Sequence, residues 1–308
     1  MSKKIFIAGH RGLVGSALVR LFESLPDWEV IVRTRQELDL TDEKKTVEFL
    51  ASEKPTHVID AAAKVGGIKA NNERPVDFLV DNIKIQMSLI QACHLANVEK
   101  LLFLGSSCIY PKFAEQPIRE ESLMAGPLEL TNDGYAIAKI SGIYMCRAYR
   151  RQYGRDYISA MPTNLFGPND NYDINTSHVM PALIKKFHTA KIEGQTSVGL
   201  WGTGEPKREF LHSDDLAQAC LVLLDKWSSE EIINIGTGKD ISIRELAEQV
   251  KEVVGFEGSI EWDTSMPDGT PRKLLDVSRI HSLGWEPQIS LRSGIESTYD
   301  YFKEHQAG

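Results

Sequence analysis

The residues able to do chemistry fall in two short stretches. Residues 101–111 read LLFLGSSCIYP. The opening, residues 101–104, is an apolar run of the kind buried on both faces of a parallel sheet. It breaks into Gly105-Ser106-Ser107-Cys108. Glycine lets a ligand come close to the backbone, and small polar side chains follow it. In an open parallel sheet, ligands sit beyond the carboxyl ends of the strands, where these residues fall. If the extended geometry continues to Cys108, period-two alternation puts Ser106 and Cys108 on one side. A hydroxyl donor and a thiol then share a pocket. The second stretch is Tyr135-x-x-x-Lys139, one helical turn apart and so on one face. A lysine beside a phenol lowers the cost of the phenolate, which makes Tyr135 a usable general acid at neutral pH. The spacing alone is common on exposed helix faces; it gains meaning from the glycine turn and the serine-bearing strand end.

The elements that must position these groups follow from the order of the chain. Residues 4–9 (KIFIAG) predict a buried first strand, and a helix runs to about residue 25. Between them lies Gly9-His10-Arg11-Gly12-Leu13-Val14-Gly15, a G-x-x-G-x-x-G turn. Strand, glycine turn and helix are the context in which backbone N–H groups and a helix N-terminus meet a pyrophosphate. The second strand, residues 29–33, ends in Arg33-Thr34-Arg35 rather than in an acidic residue. A guanidinium suits a ribose 2′-phosphate, and Arg11 could reach the same group, so NADP(H) is expected over NAD(H). Arg33 is the weaker candidate of the three, and Asp39 is placed at the adenine end. Residues 56–63 (THVIDAAA) form a third strand whose alanines, Ala62 among them, leave room for a cofactor. Two long helices, 76–96 and 134–153, flank the central strand; the first carries apolar residues on more than one side, as in a large core or a subunit interface. Residues 156–161 make a fifth strand, and PTNLFGP (162–168) leads out of it. His178 stands at a helix start, where the dipole disfavours its charged form; alone it ranks with the other histidines. Residues 199–208 read as a short strand and loop, 209–215 as the lead into a helix, 231–238 as a strand and 266–273 as a polar, turn-rich loop. The fold expected is α/β: a Rossmann-type doubly wound parallel sheet over 1–165, rejoined by 208–237, with a smaller substrate lobe from 166–207 and 238–308.

Bulk properties narrow the class. A chain of 308 residues with 42% apolar and 25% charged residues has an ordinary globular composition and ample core. A net charge of −8 argues against nonspecific nucleic-acid binding. No signal peptide and no membrane span are expected. Cysteines 93, 108, 146 and 220 form no CxxC pair, which points to a reducing, cytoplasmic compartment. No metal-ligand spacing stands out.

The glycine turn, Ser106, Tyr135 and Lys139 resemble the extended short-chain dehydrogenase/reductases that act on nucleotide sugars. The resemblance spans nearly the whole chain, including REFLH from Arg208 and NIGTG from Asn234. AAAKVGGIKAN from Ala61, GSSCIYPK from Gly105, PTNLFGP from Pro162, NTSHVMPAL from Asn175 and PDGTPRKLLD from Pro267 look like one branch of it. That branch acts on GDP-4-keto-6-deoxy-D-mannose, epimerising C3 and C5 and then reducing C4 to give GDP-L-fucose. In related 4,6-dehydratases a glutamate stands at the position of Cys108, so the thiol points away from dehydration. By resemblance, Cys108 is the base and His178 the acid of epimerisation, Ser106 and Tyr135 hold the C4 oxygen, and Lys139 holds the nicotinamide ribose. The implied NADP(H) contacts are Gly9, His10, Arg11, Gly12, Leu13, Val14, Gly15, Arg35, Asp39, Ala62, Leu104, Gly105, Lys139, Pro162, Asn164, Leu165 and His178. Lys186, Trp201, Arg208 and Asp268 are the implied contacts of the GDP-sugar, with Trp201 alternatively a core residue. The resemblance also implies a homodimer through a four-helix bundle of the two long helices.

Overall fold

The computed structural model describes residues 3–174, 176–266 and 268–305; Asn175 and Pro267, which open two of the quoted motifs, lie outside them. The chain alternates strand and helix from the start. β1 (Lys3–Ala8), α1 (Leu13–Glu23), β2 (Trp28–Ile31), α2 (Glu43–Glu53) and β3 (His57–Asp60) come first. α3 (Ile68–Glu73), α4 (Pro75–Leu95), β4 (Lys100–Leu104), α5 (Asp133–Tyr153) and β5 (Asp156–Pro162) follow. The chain then passes through β6 (Asn164–Phe166), α6 (Val179–Ile192), β7 (Ser197–Trp201), β8 (Lys207–His212) and α7 (Ser213–Lys226). β9 (Ile233–Ile235), β10 (Asp240–Ser242), α8 (Ile243–Val254), β11 (Ser259–Asp263), β12 (Arg272–Lys273), α9 (Ser278–His281) and α10 (Leu291–His305) complete it.

Six strands pair in the order β2-β1-β3-β4-β5-β9, every pair parallel. β3 and β4 are buried along their whole length, which is why their sequences lack alternation. Strand succession reverses at β1, so a crevice opens beyond the carboxyl ends of β1 and β3. Beyond β2 the chain forms turns rather than a further strand: the amides of Glu37 and Leu38 donate to the Thr34 carbonyl. Asp42 then caps α2, accepting from the Lys45 amide at 3.1 Å.

A second layer is built around β8, which pairs with β6, β10 and β12; β7 and β11 pair separately. Its own core gathers Phe166, Leu183, Phe187, Leu246, Val250, Ile295 and Phe302. Residues 209–212 lead into α7, as expected, and are themselves the inner part of β8. They lie between strands and are buried throughout, so no polar alternation marks them as strand. Glu209 is wholly buried there. Its carboxylate accepts from the Gly238 amide at 2.7 Å and the Leu275 amide at 3.1 Å. Its main-chain carbonyl accepts from Asn164 Nδ2 at 2.8 Å. One residue therefore joins β6, β8, the turn after β9 and the exit of β12.

α4 and α5 lie side by side, clasped by Gln86, whose Nε2 donates to the Ala138 carbonyl at 2.6 Å and to Ser141 Oγ at 2.7 Å. Val76, Met87, Leu95, Ile137 and Tyr144 of this pair are exposed. No helix among the described residues is long and apolar enough to cross a membrane.

Candidate active site

The floor of the crevice is the glycine turn. Gly9 has φ +80, and a Cβ there would meet the Ala61 carbonyl oxygen at 2.7 Å, so Ala61 and Ala62 form a wall against it. A Cβ on Gly15 would overlap the Gly9 carbonyl, whereas one on Gly12 would meet only Gly9 O at 3.6 Å. Gly9 and Gly15 are thus required by the protein, and Gly12 keeps the ligand side clear. Gly12 caps α1 with no side-chain hydrogen bond, which leaves first-turn N–H groups of Leu13 and Val14 for an anion. These features fit the pyrophosphate of a dinucleotide. His10 lies beside them, held below the ordinary histidine value by burial and then by the Arg11 guanidinium.

Of the three arginines, Arg33 is spent. It pairs with Glu53 at 2.6 Å and lies over the Phe49 ring. Arg11 is exposed, and Arg35 is 81% exposed, joined to Asp39 at 3.4 Å. Two guanidinium groups at the crevice edge suit a 2′-phosphate. Asp39 accepts from the Thr41 amide and hydroxyl, which fixes the loop between β2 and α2.

At the centre, β4 ends on Leu104, and Gly105 donates to the Ala160 carbonyl. A Cβ on Gly105 would run into the Met161 side chain. The extended backbone stops at Ser106. Residues 107–109 are a 3₁₀ turn capped by Ser106, whose Oγ accepts from the Cys108 amide at 3.3 Å. Strand alternation does not therefore bring Ser106 and Cys108 together; a serine that captures the amide two residues on does so. The Tyr135 phenol lies close enough to Ser106 and Cys108 for both to act on its ionisation. Desolvation pushes its phenol well above the ordinary value, Cys108 adds to this, and the Ser106 hydroxyl opposes it. Tyr135 is held protonated, as a donor.

Lys139 does not assist the phenol in the way its spacing suggested. Its Nζ donates to the Leu104 carbonyl at 2.8 Å and stands 6.0 Å from the Tyr135 ring centre. Anchored on the strand end, the ammonium has Asp60 as its counter-charge, which opposes the downward push of burial. Asp60 was assigned no role from sequence. It is fully buried at the end of β3, its Oδ1 accepts from the Ala62 amide at 3.2 Å, and Oδ2 has no partner. Burial, partly offset by Lys139, raises its carboxyl to about 6 from 3.8. A raised carboxyl contributes stability fully below the unfolded value, lost as pH climbs through the folded one. That loss amounts to about 3 kcal/mol. The stability of Asp60→Asn relative to the native chain, read from denaturant melts, is expected to improve by about that amount between pH 3.5 and 7.

The second wall comes from α6, β8 and β12. His178 caps α6 at the cleft rim, solvent-accessible, and its charged form is disfavoured first by desolvation and then by the Lys273 ammonium. Lys273, placed by sequence in a polar loop, lies on β12 with Nζ 3.8 Å from Cys108 Sγ. β12 pairs in register with β8, Lys273 beside Arg208. Burial lowers the Arg208 value, and Cys108 opposes the shift. Pro162, Asn164 and Leu165 sit where β5 passes into β6. A cavity of about 370 Å³ lies between α6 and β7, lined by Lys185, Lys186, Thr189, Ser197 and Val198. Lys186 Nζ donates to the Gly199 carbonyl at 3.0 Å, and Trp201 is 61% exposed rather than core. Asp268 accepts from the Thr203 amide and hydroxyl at 2.7 and 2.8 Å, bracing the turn after β7.

This geometry agrees with comparisons of sequence and structure. A family model described as "NAD dependent epimerase/dehydratase family" matches residues 5–236. The chain is 58% identical to GDP-L-fucose synthase 1 of Arabidopsis thaliana, covering 98% of this chain and 93% of that protein. It is 53% identical to GDP-L-fucose synthase of Escherichia coli K12, covering 99% and 98%. The solved GDP-mannoheptose C4 reductase of Campylobacter jejuni, with NADP bound, superposes with a TM-score of 0.91 at 40% identity, covering 98% of each chain. Matches of this identity run over nearly the full length of the chain, which belongs to the NAD-dependent epimerase/dehydratase family of extended short-chain dehydrogenase/reductases.

Proposed function

We propose that this chain epimerises C3 and C5 of GDP-4-keto-6-deoxy-D-mannose and then reduces C4 with NADPH, giving GDP-L-fucose. The observation that carries the reading is the placement of a thiol and an imidazole about one ammonium. Lys273 stands 3.8 Å from Cys108 Sγ and perturbs His178, beside the Ser106–Tyr135 pair that suits a ketone oxygen. A plain C4 reductase needs Ser106, Tyr135 and Lys139 but neither Cys108 nor His178.

The C4 ketone acidifies the protons on C3 and C5. Cys108, as thiolate, takes one, and the C–H electron pair passes to the C4 oxygen as an enolate. Ser106 and Tyr135 hold that oxygen, in the manner of a preorganised oxyanion site. His178, as imidazolium, returns a proton to the opposite face. NADPH, when bound, supplies the hydride to C4, and Tyr135 protonates the oxygen. Gly9, His10, Arg11, Gly12, Leu13, Val14 and Gly15 would cradle its pyrophosphate, with Arg11 and Arg35 at the 2′-phosphate and Asp39 by the adenine. Ala62, Leu104, Gly105, Pro162, Asn164, Leu165 and His178 would line its nicotinamide half, and Lys139 the ribose. Lys186 and Arg208 suit the substrate diphosphate, Trp201 offers an open face to the base or sugar, and Asp268 holds the neighbouring turn. The exposed apolar residues of α4 and α5 suit a homodimer through a four-helix bundle, and four free cysteines suit the cytoplasm.

The test is NADPH absorbance on adding GDP-4-keto-6-deoxy-D-mannose in D₂O, with the product analysed by NMR. The native chain should oxidise NADPH and carry deuterium at C3 and C5. Cys108→Ser should lose that exchange by about 10²–10⁴-fold, the worth of a positioned base, while binding NADPH as before. Equal turnover by both, with no deuterium in the native product, would identify a C4 reductase instead.

A further inference from the structure

We propose that Lys273 is a positioning residue for epimerisation: its ammonium holds Cys108 as the thiolate that takes the substrate proton. The inference rests on the function proposed above and adds a residue to it. The contact is direct, Nζ to Sγ at 3.8 Å across 165 residues of sequence.

The support for Lys273 is stiff. The Lys207 amide donates to the Pro271 carbonyl, and the Ile118 amide donates to the Leu274 carbonyl. Leu274 donates its own amide to Gln116 Oε1 at 2.8 Å, and Leu275 to the buried Glu209 carboxylate at 3.1 Å. A lysine on such a strand is delivered to one place, unlike one on a loop.

The titratable groups facing the thiol come from three elements, two of them cationic and one a neutral phenol. β12 brings Lys273, β8 brings Arg208 and α5 brings the protonated phenol of Tyr135. The other ionic groups lining this part of the cleft are matched: Lys112 pairs with Glu129 at 2.8 Å and Arg272 with Asp240 at 2.5 Å. Lys273 has no carboxylate within ion-pair distance among the described residues, so its charge is directed at the sulfur. The same ammonium disfavours the charged imidazole of His178, which makes the imidazolium, once formed, a readier proton donor. One cation thus biases both partners towards transfer: Cys108 towards accepting a proton and His178 towards giving one. In the step itself the C–H bond breaks and the S–H bond forms. The electron pair moves to the C4 oxygen, and the proton on His178 passes to carbon on the other face.

The experiment measures thiolate content without substrate. Cys93, Cys146 and Cys220 are buried, so iodoacetamide at pH 7.5 addresses Cys108, and its rate is read by mass spectrometry of the peptide. Lys273→Met should slow alkylation by about tenfold, the usual weight of an opposite charge at this range, and Lys273→Arg should restore most of it. Solvent-deuterium entry at C3 and C5 should fall in parallel, with NADPH affinity unchanged as the check on folding. Alkylation of Lys273→Met at the native rate overturns the proposal, and so does equal slowing in Lys273→Arg. If alkylation slows as expected but the native chain exchanges no deuterium, the Lys273–Cys108 interaction stands and the epimerase reading fails.

Discussion

Tyr135→Phe is expected to cut turnover by about 10⁴-fold, because one hydroxyl serves both as oxyanion donor and as general acid. Removing an oxyanion donor alone costs about 10²–10³-fold. The structure makes phenylalanine a clean probe. The Tyr135 ring stays in place, and the lost hydroxyl leaves Ser106, which also caps the 107–109 turn and keeps that role. Lys139 bonds to the Leu104 carbonyl rather than to the phenol, so its hold on a ribose should persist. NADPH fluorescence titration should therefore give an unchanged affinity while absorbance assays show almost no oxidation. Deuterium exchange should fall as well, since the enolate loses a partner. Retention of more than about 1% of turnover would move the acid to Ser106 or to water, against the usual weight of a positioned acid.

Gly15→Ala should produce the largest loss of cofactor affinity. Its Cβ would overlap the Gly9 carbonyl and crowd His10 Cα, both backbone atoms of the turn that meets the pyrophosphate. The turn must open, and overpacking of this kind costs about 1–3 kcal/mol, or roughly 10–100-fold in NADPH Kd. Gly12→Ala separates strain from occlusion. Its Cβ meets only Gly9 O at 3.6 Å, so Tm should hold while Kd still rises, because the new methyl faces the ligand. Loss of Tm in Gly12→Ala equal to that in Gly15→Ala would mean that the turn, not the ligand, requires both glycines.

Much of this was legible in the chain because local rules set it. Apolar runs without alternation gave β1 and β4, and the glycine turn declared its own steric demands. Arg33 was already the weaker phosphate candidate, and Glu53 explains why. What sequence could not show is where side chains end up once distant elements meet. The 107–109 turn depends on which amide the Ser106 hydroxyl captures. Lys139 is drawn to a carbonyl at the end of β4, 35 residues away. Asp60 sits in a run that reads as buried strand, where a carboxylate is unforeseen. Lys273 lies in a stretch that looks like loop because a two-residue strand is too short to have a period. It acquires a role only when β12 docks on β8.

Glu209 carries a consequence for how the molecule fails. Its side chain and carbonyl join strands from both hydrophobic cores and fasten the segment that presents Lys273 to Cys108. Losing either amide bond leaves a wholly buried carboxylate one donor short, which costs more than the bond itself. Neither core can therefore melt while the other waits intact. The two cores are expected to unfold in one cooperative event, and a denaturant melt should show no populated state in which one is folded and the other is not.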